Sequence, residues 1–344
     1  MHHSLPGPAV PQDMSADLWN SAVCALGGHK ARGSWDVAVT AIGLAYVSPT
    51  RAWSDLRHLF EAQRPDGQIA PDGFVEPPLH AVAAWEVYRR AAAHGTVCAH
   101  EAGTELSWLY PRLVAQQDYL IRGRDAGGAG LASVVRGADA VAECPSFNAI
   151  LAAAELALVH LAAVVGADPT EHRRRARQLT ETIATRLYDE QTRTYRSRNV
   201  RTGALSPVRN ADGLMPLLLP DLPREHVEAL VAEVTSPRFG LPATTGLPAP
   251  SFDRAAPADS PEHGRSIRID VNWLLRRGML VHGYRDEAED LRTAMIRLAH
   301  RAGLYEGFHP DTGAGVGAPA FGPTAALSLD LLADRSVPAY ARAT

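Results

Sequence analysis

Apolar positions recur with helical spacing along almost the whole chain. Between residues 104 and 122, Leu106, Leu109, Tyr110, Leu113, Val114, Gln117, Leu120 and Ile121 share one face; between 147 and 165, Ile150, Leu151, Ala154, Leu158, Leu161 and Val165 do the same before Gly166. A period of about 3.6 residues predicts amphipathic helices. More are expected near 35–47, 49–63, 78–94, 170–188, 224–234, 269–282, 286–302 and 322–333, while alternation of strand type is nearly absent. The punctuation agrees. Ser48-Pro49 reads as a helix start, as does "DPTE", where Asp168 can cap, Pro169 fits the first turn and Glu171 can reach back. Pro111 is expected to kink its helix or to mark its true first turn. Gly303 is placed to end the helix that finishes "RLAHRA".

The joints between helices alternate in length. Long Gly/Pro/Asp loops such as "RPDGQIAPDGFVEPP", "RDAGGAGLASVVRGADAVAECP" and "FHPDTGAGVGAPAFGP" take turns with short ones such as "VGADPTE" and "HGYRDEA". Helical hairpins in a ring give this rhythm, with function carried on the long-loop face. The expected organisation is an N-terminal extension with a first helix over 1–33 and a single helical barrel over 34–344, in which 236–263 is a long loop or lid.

Composition narrows the class. The 344 residues carry 21% charged and 46% hydrophobic side chains, and no apolar run is expected to approach the length a membrane span needs. The stretch "MHHSLPGPAVPQD" lacks the apolar segment of a secretory leader, so a cytoplasmic protein is expected. Cys24, Cys98 and Cys144 are widely spaced, which suggests small buried side chains and neither a disulfide framework nor a thiolate metal site. Of 34 basic residues only Lys30 is lysine, yet the net charge is −4 and no basic stripe with interleaved aromatics speaks for nucleic acid. "DAGGAG" and "GAGVG" neither follow a strand nor open a helix, "GRSIR" is not a nucleophile elbow, and the histidines lack paired ligand spacing. No metal, cofactor, nucleic-acid or membrane partner is implied, and the oligomeric state is left open.

Several separated blocks carry a family likeness. "SWDVAVTAIGLAYVSPTRAWSDLRHLFEAQRPDGQI", "PPLHAVAAWEVYRRA", "LYPRLV", "PSFNAILAAAELAL", "IDVNWLLRRGMLVHGYRDEAEDLR", "GLYEGFHPDTGAGVG" and "FGPTAALSLDLL", in this order over roughly 34–333, resemble the mannosylglycerate-hydrolase type of glycoside hydrolase, relatives of the processing α-glucosidases and trehalases. The resemblance implies an all-α fold, an (α/α)6 toroid of six helical hairpins. It also implies inverting hydrolysis of an α-glycoside, with one carboxylic acid protonating the leaving oxygen and a carboxylate activating water. The family's base maps onto Glu306, between Tyr305 and Phe308 in "LYEGF". Its sugar-contacting Trp-Asp pair maps onto Trp35 and Asp36.

The likeness breaks where the proton donor belongs. The family's Asp-Asn-Ser-Pro block is missing from "ASVVRGADAVAECPS", which leaves Asp139 and, in the Gln-Pro-Pro-like loop, Glu76 as substitute acids; Glu143 also remains nearby. His263 and Arg268 stand at or near two sugar-stacking tryptophan positions, Pro323 stands at a third, and Gly307 replaces a ring. Lost rings weaken an ordinary pyranose subsite. Arg268 either points inward, where a guanidinium could hold an anionic ligand, or turns away to pair with a loop acid. Asn272 and Trp273 read as barrel wall. Three functions are compatible: a diverged glycoside hydrolase acting on an unusual sugar-like small molecule, an anionic one if Arg268 points inward; the same fold turned to non-hydrolytic acid–base chemistry such as cyclisation, isomerisation or elimination; or a ligand-binding pseudoenzyme.

Overall fold

The computed structural model describes residues 12–29, 31, 33–69, 75–94, 99–136, 140–239 and 266–333. Asp139, His263, Cys98 and residues 240–263 of the expected loop or lid lie outside them.

Eleven α-helices are found among the described residues: α1 Gln12–Gly28, α2 Ser34–Val47, α3 Pro49–Glu61, α4 His80–His94, α5 Ala99–Gly123, α6 Pro145–Val165, α7 Thr170–Arg186, α8 Arg224–Thr235, α9 Ile269–Val281, α10 Arg285–Ala302 and α11 Gly322–Ala333. A 3-10 helix, Ala211–Leu218, which the periodicity did not announce, fills the remaining place. In sequence, α2, α4, α6, the 3-10 helix, α9 and α11 each pack on the next, and α11 returns to α2, so these six close an inner ring. The others lie outside, and the fold is the expected all-α toroid. Their sequences explain the sorting. In α2 every residue from Ala38 to Ala45 is buried, whereas α3 buries only Ala52, Trp53, Leu56 and Phe60. A helix enclosed on all sides must be apolar all round, and one with a wet face needs only a stripe. α1, expected within an N-terminal extension, packs on α11 and α10 as an outer helix.

The 21-residue α6 corrects one expectation, because it is long and apolar enough by composition to cross a membrane. Its position accounts for that: it is an inner wall of the ring, buried from Pro145 through Glu155. α5 runs through Pro111 as one 25-residue helix. At the start of α7, Asp168 accepts from Thr170 N at 2.9 Å and Thr170 Oγ at 2.7 Å, but Glu171 pairs with Arg174 and Arg175 and does not reach back. Cys144 is buried as expected, while Cys24 is exposed on α1.

The inner helices run the same way, so their N-termini gather at one end. His80 at the start of α4 meets the carbonyl of Ser34 at the start of α2, and Trp35 of α2 reaches Asp270 in the first turn of α9. Ser146 of α6 likewise meets Asp212 of the 3-10 helix. The long loops lead into these N-termini, and the connections at the other end are short, down to the single Ser48 between α2 and α3. Small antiparallel ladders stiffen the long-loop end: β1 Ser133–Arg136 with β2 Ala140–Glu143 and β5 Arg198–Asn199; β3 Tyr188–Asp189 with β4 Thr194–Tyr195; and β6 Gly307–Phe308 with β7 Gly315–Val316.

Candidate active site

Four charged side chains meet at the mouth where α2, α9 and α11 begin. Glu306 sits in the loop ahead of α11, one residue before β6. The loop is stitched on both sides: Glu306 N donates to Ala318 O at 3.0 Å, Ile267 and Phe308 exchange backbone hydrogen bonds at 2.8 and 2.9 Å, and Phe321 N donates to Leu304 O at 2.7 Å. Ala318 N reaches Glu306 Oε2 at 3.4 Å. Gly317 allows this approach, since its φ of +80° suits glycine and a Cβ there would lie 3.0 Å from Oε2. Gly303, with φ +92°, ends α10 as expected and starts the loop. The Glu306 side chain is about one-third exposed, at 33%.

Arg268, the last residue before α9, faces Glu306. Its Nη2 donates to Asp270 Oδ2 at 2.8 Å and its Nε to Asp270 Oδ1 at 3.1 Å, while Nη1 lies 3.6 Å from Glu306 Oε1. The carboxylates of Asp270 first, then Glu306 and Asp36, raise its pKa against the opposing effect of burial. Asp270 is buried. Burial opposes its charge, but the Arg268 guanidinium, the Trp35 indole N–H at 3.0 Å and Val271 N at 2.9 Å together hold its carboxyl below the usual range. Sequence reading missed Asp270. The available signal was an acid in the first helical turn two residues after an arginine, where a carboxylate also meets the positive end of the helix.

The structure sorts the remaining candidates. Trp35 is half-buried with its indole N–H on Asp270, and Asp36, in the first turn of α2, lies within the field of Arg268. Glu76 does not present itself as a proton donor: its Oε2 accepts from Ser34 Oγ at 2.8 Å and Trp35 N at 2.7 Å, capping α2, with Gly33 packed against the carboxylate. Glu143 is buried and paired with Arg186 at 2.7 Å. Phe308 is fully buried in the core, which leaves its ring no face for a ligand. Tyr305 lines a groove of about 1310 Å³ between α1 and α10, together with Cys24, His29, His300 and Phe321, and its ring is pressed on Gly315. Arg268 follows neither expectation alone, because it points into the mouth and pairs with acids of its own chain. Asn272 and Trp273 are buried wall, as read.

Comparison with known proteins places the fold among glycoside hydrolases. Residues 32–142 and 134–324 match the mannosylglycerate hydrolase MGH1-like glycoside hydrolase domain. The chain is 29% identical to a mannosylglycerate hydrolase of Rubrobacter radiotolerans, over 87% of this chain and 90% of that one. A crystal structure of a family-63 mannosylglycerate hydrolase from Thermus thermophilus with glucose superposes with a TM-score of 0.80 at 23% identity, covering 91% of this chain and 99% of the other. The neutral trehalase of Saccharomyces cerevisiae shares the fold at a TM-score of 0.66 and 11% identity, over 87% and 71% of the two chains.

Proposed function

The chain belongs to the mannosylglycerate-hydrolase-like glycoside hydrolases, and from that premise we propose that it hydrolyses a small glycoside with Glu306 as the base that activates water. The observation that carries this reading is the part-exposed Glu306 carboxylate at the mouth, opposite Arg268 and beside Trp35 and Asp36. In the inverting reaction a water oxygen attacks the anomeric carbon from the face opposite the leaving group. Its proton passes to Glu306, and the C–O bond to the leaving group breaks as an acid protonates that oxygen. Asp36 and Trp35 hold the ring, the first by hydrogen bonds to hydroxyls and the second by its apolar face. Glu76 and Glu143 are committed to α2 and Arg186, so Asp139 keeps the candidacy for the acid. Because Arg268 is shared between two carboxylates, this reading favours a ligand bound through neutral hydroxyls over one anchored by an anion.

The test offers mannosylglycerate, the compound named for the relatives, alongside neutral α-glycosides, and follows sugar release and anomeric configuration. Glu306→Gln is expected to lower kcat by on the order of 10²- to 10⁴-fold with KM little changed. Turnover at the wild-type rate in that variant would remove Glu306 from the base role. A second reading, non-hydrolytic acid–base chemistry in the same pocket, draws support from the structural commitment of Glu76 and Glu143. Product formed in ¹⁸O-water without label would favour it.

A further inference from the structure

Arg268 stands between two carboxylates that compete for it. Asp270 takes it in a fork at 2.8 and 3.1 Å, and Glu306 waits 3.6 Å from the remaining Nη1, inside ion-pair range but beyond a hydrogen bond. The competition is unequal because the two acids are held differently. Asp270 is only 6% exposed and is fixed by Trp35 Nε1 and Val271 N as well as by the guanidinium. Arg268 and Glu306 have side chains 26% and 33% exposed, so both have room to move. Arg268 also lies over Phe321, its Cζ 5.9 Å from the ring centroid.

A general base must offer a free oxygen lone pair within hydrogen-bond reach of the water it deprotonates. A guanidinium closed onto that carboxylate at about 2.8 Å, the usual charge-assisted distance, would take one lone pair of Oε1 and lower the carboxylate's basicity. We propose that Asp270 is a positioning residue that holds Arg268 off Glu306, leaving Oε1 open to water while keeping a positive charge close to the mouth. This proposal rests on Glu306 being the base. It makes Asp270 and Arg268 a single device, in which losing the acid alone is worse than losing both.

Asp270→Asn keeps the shape and an acceptor for Trp35 but gives up the charge that holds the fork. The freed guanidinium then has Glu306 as its nearest anion. In crystal structures of D270N, Arg268 Nη1 is expected within hydrogen-bond distance of Glu306; an unmoved Arg268 would overturn the proposal whatever the activity. In kinetics on the best substrate of the glycoside panel, D270N is expected to lose on the order of 10²-fold in kcat. D270N/R268Q should recover at least about tenfold over D270N, since coupled neighbours are not additive. A double variant no better than D270N also overturns the proposal, because a merely structural Asp270 would not be rescued by removing its partner. Should D270N fail to fold, D270S and D270S/R268Q provide the same comparison. Full turnover in E306Q removes the base assignment instead, and the movement of Arg268 is then judged by the crystal structures alone.

Discussion

His80 lies fully buried under the start of α2, its Nε2–H donating to Ser34 O at 3.1 Å and its Nδ1 accepting from Gln116 Nε2 at 3.0 Å. Burial disfavours the imidazolium and holds the pKa down to about 4, against an ordinary 6.5, although the Ser34 carbonyl works the other way. The unfolded chain therefore takes up a proton below pH 6.5 that the folded chain refuses until about pH 4. Stability is full above 6.5 and falls across that window, by on the order of 3 kcal/mol. Burial lowers His226 and His282 in the same direction. Urea unfolding at pH 7 and pH 4.5 checks this: His80→Gln should flatten part of the slope, and an unchanged slope would contradict it. At this scale Glu306, Trp35 and Asp36 could be named as candidates because each sits in an ordered block of flanking residues. Glu76 was not legible as a cap, since its partners Ser34 and Trp35 lie about forty residues away in the chain.

Elements were read with more success where periodicity was long, and the boundaries of α2, α6 and α9 fall within two residues of expectation. The 3-10 helix escaped because eight residues with an internal Pro216 give too few turns to show a period. Contacts between elements are set by small residues whose role no pattern reveals. Gly43 on α2 faces α11 so closely that a Cβ would lie 2.3 Å from Ala326 Cα. Gly→Ala inside a helix ordinarily gains about 1 kcal/mol from propensity. Here the steric cost wins, because overpacking a backbone contact costs about 1–3 kcal/mol or more and both helices belong to a closed ring. Gly43→Ala should lower the thermal midpoint, and a midpoint equal to wild type would show that α2 and α11 can move apart.

Across the whole molecule, the ring is tied by a charged cluster below the mouth. Glu86 of α4 pairs with Arg277 of α9 and with Arg90, and takes Arg89 at 2.8 Å; Asp330 of α11 takes Arg90, Tyr46 Oη at 3.0 Å and Trp273 Nε1 at 2.6 Å. Burial opposes the charge on Glu86, but Arg277, Arg90 and Arg89 more than compensate and hold it well below the usual carboxylate range. Removing one partner leaves buried charge uncompensated, so Glu86→Gln should cost about 3–5 kcal/mol, read by chemical denaturation at pH 7. A loss under about 1 kcal/mol would mean that water or Asp330 takes over the freed arginines.

The sequence by itself determined the helices, the alternation of long and short connections and the place of the candidate base, since these depend on local spacing and on blocks that stay contiguous. Tertiary structure alone decided which carboxylates are free to act. Glu76, Glu143, Asp270 and Glu306 are the same kind of group in the chain. Only the closing of the ring places a helix end, an arginine or a neighbouring acid beside each, and at about 3 Å those partners outweigh anything local sequence encodes.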